Sequence, residues 1–266
     1  MDVSNNHRRQ KSVKFVDIHC HCLAGIDDGP SDITESVALC KALAEDNVAF
    51  VVATPHQLGR FEGLNEAQSV RDAVRKLNRI LKSRRIPIMV VPGGEVRVDE
   101  RICQLLEDDK ILTLADSGRY ILLELPHQVF IDIEPMLRDL ASIGVRPIIS
   151  HVERVSALVK EPNILLKWFE HSTNLQITAS SLLGGFGIRA ERAAWNFLTS
   201  GWARLVASDS HDLNSRKPAM RAVYNLITTK LGKDLANQVC IENPLRVIKA
   251  MDILPVSVFE KQEVNP

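Results

Sequence analysis

Seven short apolar segments alternate with helix-like stretches along this chain, and that alternation constrains its fold more than any other feature. The segments are apolar at nearly every position, which is typical of parallel strands buried on both faces. Strands that alternate with helices predict an α/β fold with a parallel sheet and right-handed crossovers. The predicted strands are 15–19, 48–54, 88–92, 120–125, 146–150, 174–178 and 203–208.

Seven strand–helix units without a clear linker predict one closed, irregular barrel over residues 15–253. An open, doubly wound sheet is the alternative architecture for the same alternation. The polar, basic start at 1–14 and the last stretch at 254–266 are predicted to be loose tails. The predicted helices are 32–46, 66–84, 99–107, 134–143, 162–171, 189–200 and 217–231, with one more before Cys240 and one after Pro244.

Charge and cysteine content narrow the class of protein. The chain carries 33 basic and 33 acidic residues, which disfavours binding to nucleic acid or anionic membranes through bulk charge. No apolar run approaches the roughly 20 residues that span a bilayer, so we expect no stable membrane insertion. The polar start is unlike a secretory signal, and five scattered cysteines are unlike a disulfide framework. We therefore expect a cytoplasmic protein.

Histidines and carboxylates stand at the carboxyl ends of six of the seven predicted strands. On a strand the side chains of residues i and i+2 share a face, so His19 lies beside His21 and Asp209 beside His211. Only the sixth strand, which ends at Thr178, contributes no obvious ligand. Because such strand ends converge on one face of a barrel, we expect a metal site there. The other candidate ligands are Asp28, His56, Glu95, Glu124 and His151.

About nine candidate ligands exceed what one ion needs, so we expect two or three ions with Glu95 as a bridging carboxylate. Imidazole and carboxylate donors suit Mn, Fe or Zn. Closely spaced ions can hold the oxygens of a phosphoryl transfer and supply hydroxide at neutral pH. Arg154 and Arg216 follow candidate ligands closely and can hold a phosphate, although ordinary surface salt bridges would explain each equally well.

A competing pattern joins Cys240 to Arg246, which fit the C-x5-R spacing of thiol-based tyrosine phosphatases. That chemistry needs a Gly-rich loop whose N–H groups surround the phosphate, and a thiol of lowered pKa. The segment between the two residues has no Gly, and Pro244 removes one donor. Because this segment is typical of a helix start, the sequence disfavours thiol chemistry.

Seven short motifs follow one another in a fixed order: D-I-H-C-H at 17–21, G-I-D-D-G-P at 25–30, T-P-H at 54–56, G-G-E at 93–95, S-H-V-E-R at 150–154, S-D-S-H at 208–211 and N-P at 243–244. The set resembles the PHP (polymerase and histidinol phosphatase) superfamily. More narrowly, it resembles the CpsB-type bacterial tyrosine phosphatases, which are linked to capsule and exopolysaccharide synthesis. The resemblance runs from about residue 15 to 251, nearly the whole chain.

The resemblance implies a distorted (βα)7 barrel of the TIM-like PHP type, with a manganese-favouring site for several ions. It implies hydrolysis of phosphotyrosine on proteins, notably on the tyrosine-rich tail of a partner autokinase. For the mechanism we expect direct attack of a metal-bound hydroxide on phosphorus. The resemblance assigns Arg154 and Arg216 to the phosphate and Asp17 to orienting a histidine. The implied metal ligands are His19, His21, Asp28, His56, Glu95, Glu124, His151, Asp209 and His211.

The chain departs from this family pattern after T-P-H. Many members continue with a further His or Arg and an N-G-x-Y-like segment, whereas residues 57–63 here read Q-L-G-R-F-E-G. Arg60 is a candidate to replace the missing positive group. Two other functions stay open: a phosphoesterase acting on a small molecule such as histidinol phosphate, and a regulatory metal-binding barrel without turnover. The sequence leaves a homo-oligomer open as well.

Overall fold

The computed structural model of the protein describes residues 14–256 as parallel strands surrounded by helices. The strands are β1 (Phe15–Cys20), β2 (Val48–Ala53), β3 (His56–Gln57), β4 (Met89–Pro92), β5 (Glu95–Arg97), β6 (Tyr120–Glu124), β7 (Arg146–Ile149), β8 (Asn174–Thr178) and β9 (Ala203–Ala207). The helices are α1 (Ile33–Glu45), α2 (Ala67–Ser83), α3 (Ile102–Glu107), α4 (Glu134–Ser142), α5 (Ser156–Lys160), α6 (Ile164–Phe169), α7 (Ala179–Leu182), α8 (Gly187–Thr199), α9 (Met220–Leu231), α10 (Lys233–Asn237) and α11 (Asn243–Ile248).

The strands form a closed, distorted barrel. They pair in parallel in the orders β1-β2-β4 and β3-β5-β6-β7-β8-β9. The last strand returns to the first, because His21 donates its N–H to the Ser210 carbonyl (2.9 Å) and Asp209 donates to the His19 carbonyl (2.9 Å). The prediction of a distorted α/β barrel is therefore confirmed, and the open sheet does not describe this closure.

Two strands of the barrel are broken near the site, which the sequence analysis did not predict. β3 continues β2 after Pro55, whose missing N–H interrupts the ladder. β5 continues β4 after Gly94, where an added Cβ would lie 2.1 Å from Gln57 Oε1. Such close approach requires glycine. As a result His56 and Glu95 lie in short paired strands rather than in loops.

The buried side chains of the strands and of one face of α2 show how this helix packs against the barrel. All six side chains of β1 are buried, as expected for a central parallel strand. In α2 the buried positions include Val70, Val74, Leu77 and Leu81, so one stripe of this helix faces the barrel. The charged positions of α2 lie on the opposite face. Among residues 14–256, no helix is both long and apolar enough to cross a bilayer.

The start of the predicted C-terminal tail differs from expectation. Leu254 donates its N–H to Asn243 Oδ1 (2.9 Å), and its carbonyl accepts from Asn243 Nδ2 (3.0 Å). The Pro255 carbonyl accepts from Gln238 Nε2 (2.6 Å). Residues 254–256 are therefore held against α11 rather than loose, because a buried asparagine binds their backbone. Residues 1–13 and 257–266 of the two predicted tails lie outside the described residues.

Candidate metal centre

Four donor side chains meet where the first and last strands approach β5. His19 Nε2 lies 3.2 Å from His21 Nε2, and 3.3 Å from both Glu95 Oε2 and Asp209 Oδ1. An ion that holds tetrahedral ligands at about 2.1 Å separates those ligands by about 3.4 Å. The spacing of these nitrogen and oxygen atoms thus suits ligands that share one ion.

A second group of donors lies beside the first. His21, Asp28, His56 and His211 offer atoms that all lie within 4.8 Å of one another. Asp28 Oδ1 stands at its middle, 3.4 Å from His56 Nε2 and 3.3 Å from His211 Nε2. This group joins residues from the ends of β1, β3 and β9 with the loop that follows β1.

A third group consists of Glu124, His127 and His151. Glu95 connects it to the others, because its Oε1 lies 2.9 Å from His151 Nε2 while its Oε2 lies 3.2 Å from His56 Nδ1. His127, which follows β6 closely, is not among the ligands predicted from the sequence. Its ring packs edge-on against His151, with centroids 5.0 Å apart. None of the quoted motifs contains His127, although it stands only three residues after the predicted ligand Glu124.

Other side chains orient the histidines of the first group. Gln176 Oε1, on β8, accepts from His19 Nδ1 (2.9 Å), and Asp27 Oδ2 accepts from His21 Nδ1 (2.7 Å). Such bonds fix the ring orientation and leave Nε2 free for a metal. The sixth predicted strand, in which the sequence shows no obvious ligand, therefore contributes a residue that orients one. A glutamine two residues before the carboxyl end of this strand was the available signal.

Asp17 acts on the backbone rather than on an imidazole. Its carboxylate accepts from the N–H of His19 (3.3 Å) and from the N–H (3.0 Å) and hydroxyl (2.5 Å) of Ser208. It therefore joins the first strand to the last beside the candidate ligands. Burial raises the pKa of Asp17 to about 6, against the opposing effect of these hydrogen bonds.

The protonation of the histidines differs strongly across the site. Burial lowers the pKa of His21, but Asp27 and Glu95 outweigh burial and raise that pKa to about 10. Burial and the Arg154 guanidinium lower the pKa of His151 to about 3. At neutral pH His151 is thus neutral with a free lone pair, whereas His21 holds a proton that a metal ion must displace.

We expect Mn²⁺ binding at pH 7 to release about one proton, because the raised pKa of His21 keeps it protonated up to about pH 10. Metal affinity should therefore rise as the pH rises toward 10. Calorimetry in buffers of different ionisation enthalpy measures the released proton. Asp27→Asn removes the carboxylate that raises the pKa of His21, and the release should then fall by about half or more. Binding at pH 7 without proton release would contradict this account.

The donor set fits divalent metal ions. His151 Nδ1 is buried and, among the described residues, lacks a hydrogen-bond partner. Unsatisfied buried acceptors are costly unless a cation or water meets them. Imidazole nitrogens and carboxylate oxygens at this density suit Mn, Fe or Zn.

Two arginines flank Asp209 at the mouth of the site. Arg154 Nη1 lies 3.2 Å from Asp209 Oδ2, and Arg216 Nη2 lies 2.6 Å from Asp209 Oδ1. Arg216 Nη1 also donates to His211 Nε2 (2.7 Å). Both guanidinium groups line a cleft of about 540 Å³ together with Glu95, His56 and His151, which we call the central cleft. Its cations can bind an anionic group next to the donor cluster.

The departing segment 57–63 borders the central cleft. Arg60 Nη2 lies 3.2 Å from Asp28 Oδ2, and its guanidinium stands 4.5 Å above the ring of Phe61. That ring stacks on His56 with centroids 5.3 Å apart and planes 8° apart. The segment thus places one cation and one aromatic ring at the rim, where they can contact a substrate.

Cys240 does not lie in a phosphate-binding loop. It is fully buried in a π-helical turn (Gln238–Glu242), and burial raises the pKa of its thiol well above the usual range. Arg246 donates to the Asp252 carbonyl instead of facing that thiol. We expect Cys240→Ser to keep phosphatase activity within about twofold, since no reacting group is lost. Steady-state assays measure the activity of this variant beside that of Cys103→Ser, a control at a partly exposed cysteine. Loss of activity in folded Cys240→Ser, but not in Cys103→Ser, would contradict this expectation.

The fold and the donor cluster define a class of protein: an α/β barrel with a site for several metal ions at the carboxyl ends of its strands. The chain belongs to the CpsB/CapC family of capsular polysaccharide synthesis, whose sequence model matches residues 15–249. The predicted resemblance is thereby confirmed.

Named relatives agree with this membership. The chain is 31% identical to a putative tyrosine-protein phosphatase CapC of Staphylococcus aureus, over 79% of this chain and 82% of that protein. It is 32% identical to the tyrosine-protein phosphatase YwqE of Bacillus subtilis, over 83% and 87%. A crystal structure from work on YwqE and on CpsB of Streptococcus pneumoniae, described as unique metal-dependent tyrosine phosphatases, covers 91% of this chain and 97% of its own. It superposes with a TM-score of 0.86 at 30% identity.

Proposed function

We propose that this protein is a metal-dependent phosphatase that hydrolyses phosphotyrosine on proteins. The observation that carries the proposal is the single cleft in which histidine and carboxylate donors and two guanidinium groups meet. We further propose that the site takes two or three divalent ions, Mn²⁺ in the first place, and that Glu95 would help to hold more than one of them. The proposed ligands are His19, His21, Asp28, His56, Glu95, Glu124, His151, Asp209 and His211.

Different residues of the chain would bind the metal ions, hold the phosphate and orient the ligands in such a reaction. Bound divalent ions supply an activated water at neutral pH and neutralise phosphate charge. Arg154 and Arg216 hold the phosphoryl oxygens and stabilise the charge that develops on them. Gln176 and Asp27 keep the first pair of histidines in one orientation. A preorganised site of this kind reorganises little during the reaction.

Two aromatic rings explain a preference for aryl phosphates. Phe61 and Phe186 both line the central cleft, and Arg154 stands 4.6 Å above the Phe186 ring. Aromatic contacts of this type contribute about 0.5–1.5 kcal/mol beyond area burial. The rings can contact a tyrosine ring while the arginine beside one of them holds its phosphate.

We expect Phe186→Ala to lower kcat/KM for a phosphotyrosine peptide by about tenfold, because the ring contact is lost. Hydrolysis of the matched phosphoserine peptide, which lacks a ring, should stay within about twofold. Ile188→Ala is the control, since Ile188 is exposed on the neighbouring α8 and does not line the cleft. Equal losses on both peptides would contradict a role in recognising the ring.

We propose as substrate a bacterial tyrosine autokinase of capsule or exopolysaccharide synthesis. The family description of capsular polysaccharide synthesis supports this setting. We place the activity in the cytoplasm, which agrees with five unpaired cysteines. These assignments concern the partner and the compartment and are independent of the chemistry in the cleft.

A comparison of substrates tests the proposed function. Initial rates on a phosphotyrosine peptide and on histidinol phosphate should be measured with Mn²⁺ at equal concentrations. We expect kcat/KM to be at least about tenfold higher for the phosphotyrosine peptide. A preference for histidinol phosphate would instead support a small-molecule phosphoesterase, and no turnover of either substrate would support a regulatory barrel.

A further inference from the structure

A second concave surface lies at the opposite end of the barrel from the central cleft. It is a groove of about 510 Å³ between the C-terminal half of α2 and the amino-terminal ends of β2 and β4. Phe50 and Met89 line it from the strands, and Arg79 and Lys82 line it from the helix. We call this surface the basic groove.

The apolar side of the basic groove is unusually exposed. Phe50 and Met89 are 40% and 49% exposed, although both belong to strands. They are register partners in the parallel β2–β4 pair, so their side chains stand next to each other on one face. Adjacent exposed apolar side chains with a polar rim are typical of a binding surface.

The helix side concentrates positive charge. Residues 75–85 contain six basic residues and no acidic residue, in a chain whose total charge is zero. Only Arg75 has a carboxylate within 4.0 Å, that of Asp72, as far as residues 14–256 are concerned. Arg79 and Lys82 therefore keep their charge unpaired beside the apolar floor. Such a local positive potential attracts acidic partners.

The groove is also preformed. Asn78 Nδ2 donates to the Val90 carbonyl (2.7 Å), and Val90 donates its N–H to Asn78 Oδ1 (3.1 Å). These bonds join α2 to the backbone of β4. They satisfy the N–H and carbonyl groups of Val90 on the side of β4 where no strand pairs. A fixed groove binds a partner without an ordering cost of its own.

We infer that the basic groove docks an acidic segment of the phosphotyrosine protein substrate, with an apolar or aromatic side chain seated on Phe50 and Met89. The apolar residues lie in a concavity rather than on a protrusion, which favours a polypeptide over a membrane surface. His56 lies six positions after Phe50 along β2 and β3, roughly 20 Å along the barrel. Docking there holds the substrate while its phosphotyrosine reaches the central cleft, which raises the effective concentration. This inference rests on the proposed phosphotyrosine hydrolysis.

Binding of a labelled random copolymer of glutamate and tyrosine tests the inference directly. The copolymer is acidic and aromatic, and its unphosphorylated form separates docking from turnover. We expect Arg79→Glu/Lys82→Glu to raise its Kd by about tenfold at low salt. The matched control is Lys76→Glu/Arg84→Glu, which makes the same change of charge on α2 and at the residue that follows it, outside the groove. The control should raise Kd by less than about threefold.

Turnover gives the second readout. With the phosphorylated copolymer, Arg79→Glu/Lys82→Glu should raise KM by about tenfold, while kcat/KM for p-nitrophenyl phosphate stays within twofold. Equal effects of the two double variants, or no effect on Kd, would overturn the docking site. Binding to phosphatidylglycerol vesicles should be measured as well. If Arg79→Glu/Lys82→Glu lost vesicle binding while its Kd for the copolymer stayed unchanged, the groove would be a lipid-binding surface and the proposed docking of the substrate would be overturned. Inactivity on p-nitrophenyl phosphate would instead contradict the proposed function and leave the binding result standing.

Discussion

Glu95→Gln is expected to lower kcat/KM for a phosphotyrosine peptide by at least about 1,000-fold, or about 4 kcal/mol. One carboxylate oxygen of Glu95 lies 3.2–3.4 Å from nitrogens of three histidines, and the other lies 2.9 Å from His151. No other carboxylate in the described part of the chain touches all three donor groups. Glutamine keeps the shape but removes the charge that holds cations together. Rates at saturating Mn²⁺ and metal content per chain should fall together.

Glu153→Gln serves as the matched control for Glu95→Gln. Glu153 is equally buried, but its Oε1 accepts from the Thr178 N–H (3.1 Å) and the Ser181 hydroxyl (2.6 Å) instead of facing the histidine cluster. Its substitution should keep activity within about tenfold. If Glu95→Gln retained more than a tenth of the wild-type kcat/KM with full metal content, a central role for this carboxylate would be excluded.

Asp17→Ala is expected to lower the free energy of unfolding by about 3–5 kcal/mol. The substitution leaves the buried N–H groups of His19 and Ser208 and the Ser208 hydroxyl without their common acceptor. These groups lie where the first strand meets the last, so the substitution weakens the contact that closes the barrel. Urea unfolding of metal-free protein at pH 7 measures the effect without a contribution from bound ions.

Asp108→Ala provides the comparison for the stability measurement. Asp108 is exposed, and its carboxylate contacts only Gln104 on the same helix (3.0 Å) among the described residues. Its loss should change the free energy of unfolding by less than about 0.5 kcal/mol. A cost below about 1 kcal/mol for Asp17→Ala would show that the carboxylate does not hold the two strands together.

The sequence was informative about the barrel and about which polar side chains meet. The period of two along a strand is a local property, so the pairing of His19 with His21 could be read directly. Parallel topology then brings the strand ends together, whatever the loops between them do. Both inferences needed only short-range pattern and a general rule of folds.

The partners of those side chains could not be predicted in the same way. Gln176 meets His19 across 157 residues of sequence, and the N-P motif that contains Asn243 does not indicate that this side chain binds the backbone of Leu254. The breaks after Pro55 and Gly94 depend on how two neighbouring strands tilt together. These features arise from tertiary packing, which a single sequence expresses only weakly.

Metal dependence of phosphotyrosine hydrolysis tests the central claim most directly. Protein stripped with EDTA and freed of the chelator should be assayed on a phosphotyrosine peptide before and after addition of Mn²⁺. We expect the stripped protein to lose at least about 99% of its activity and Mn²⁺ to restore it, with Arg216→Ala staying low in both states. Full activity of the stripped protein would contradict the account.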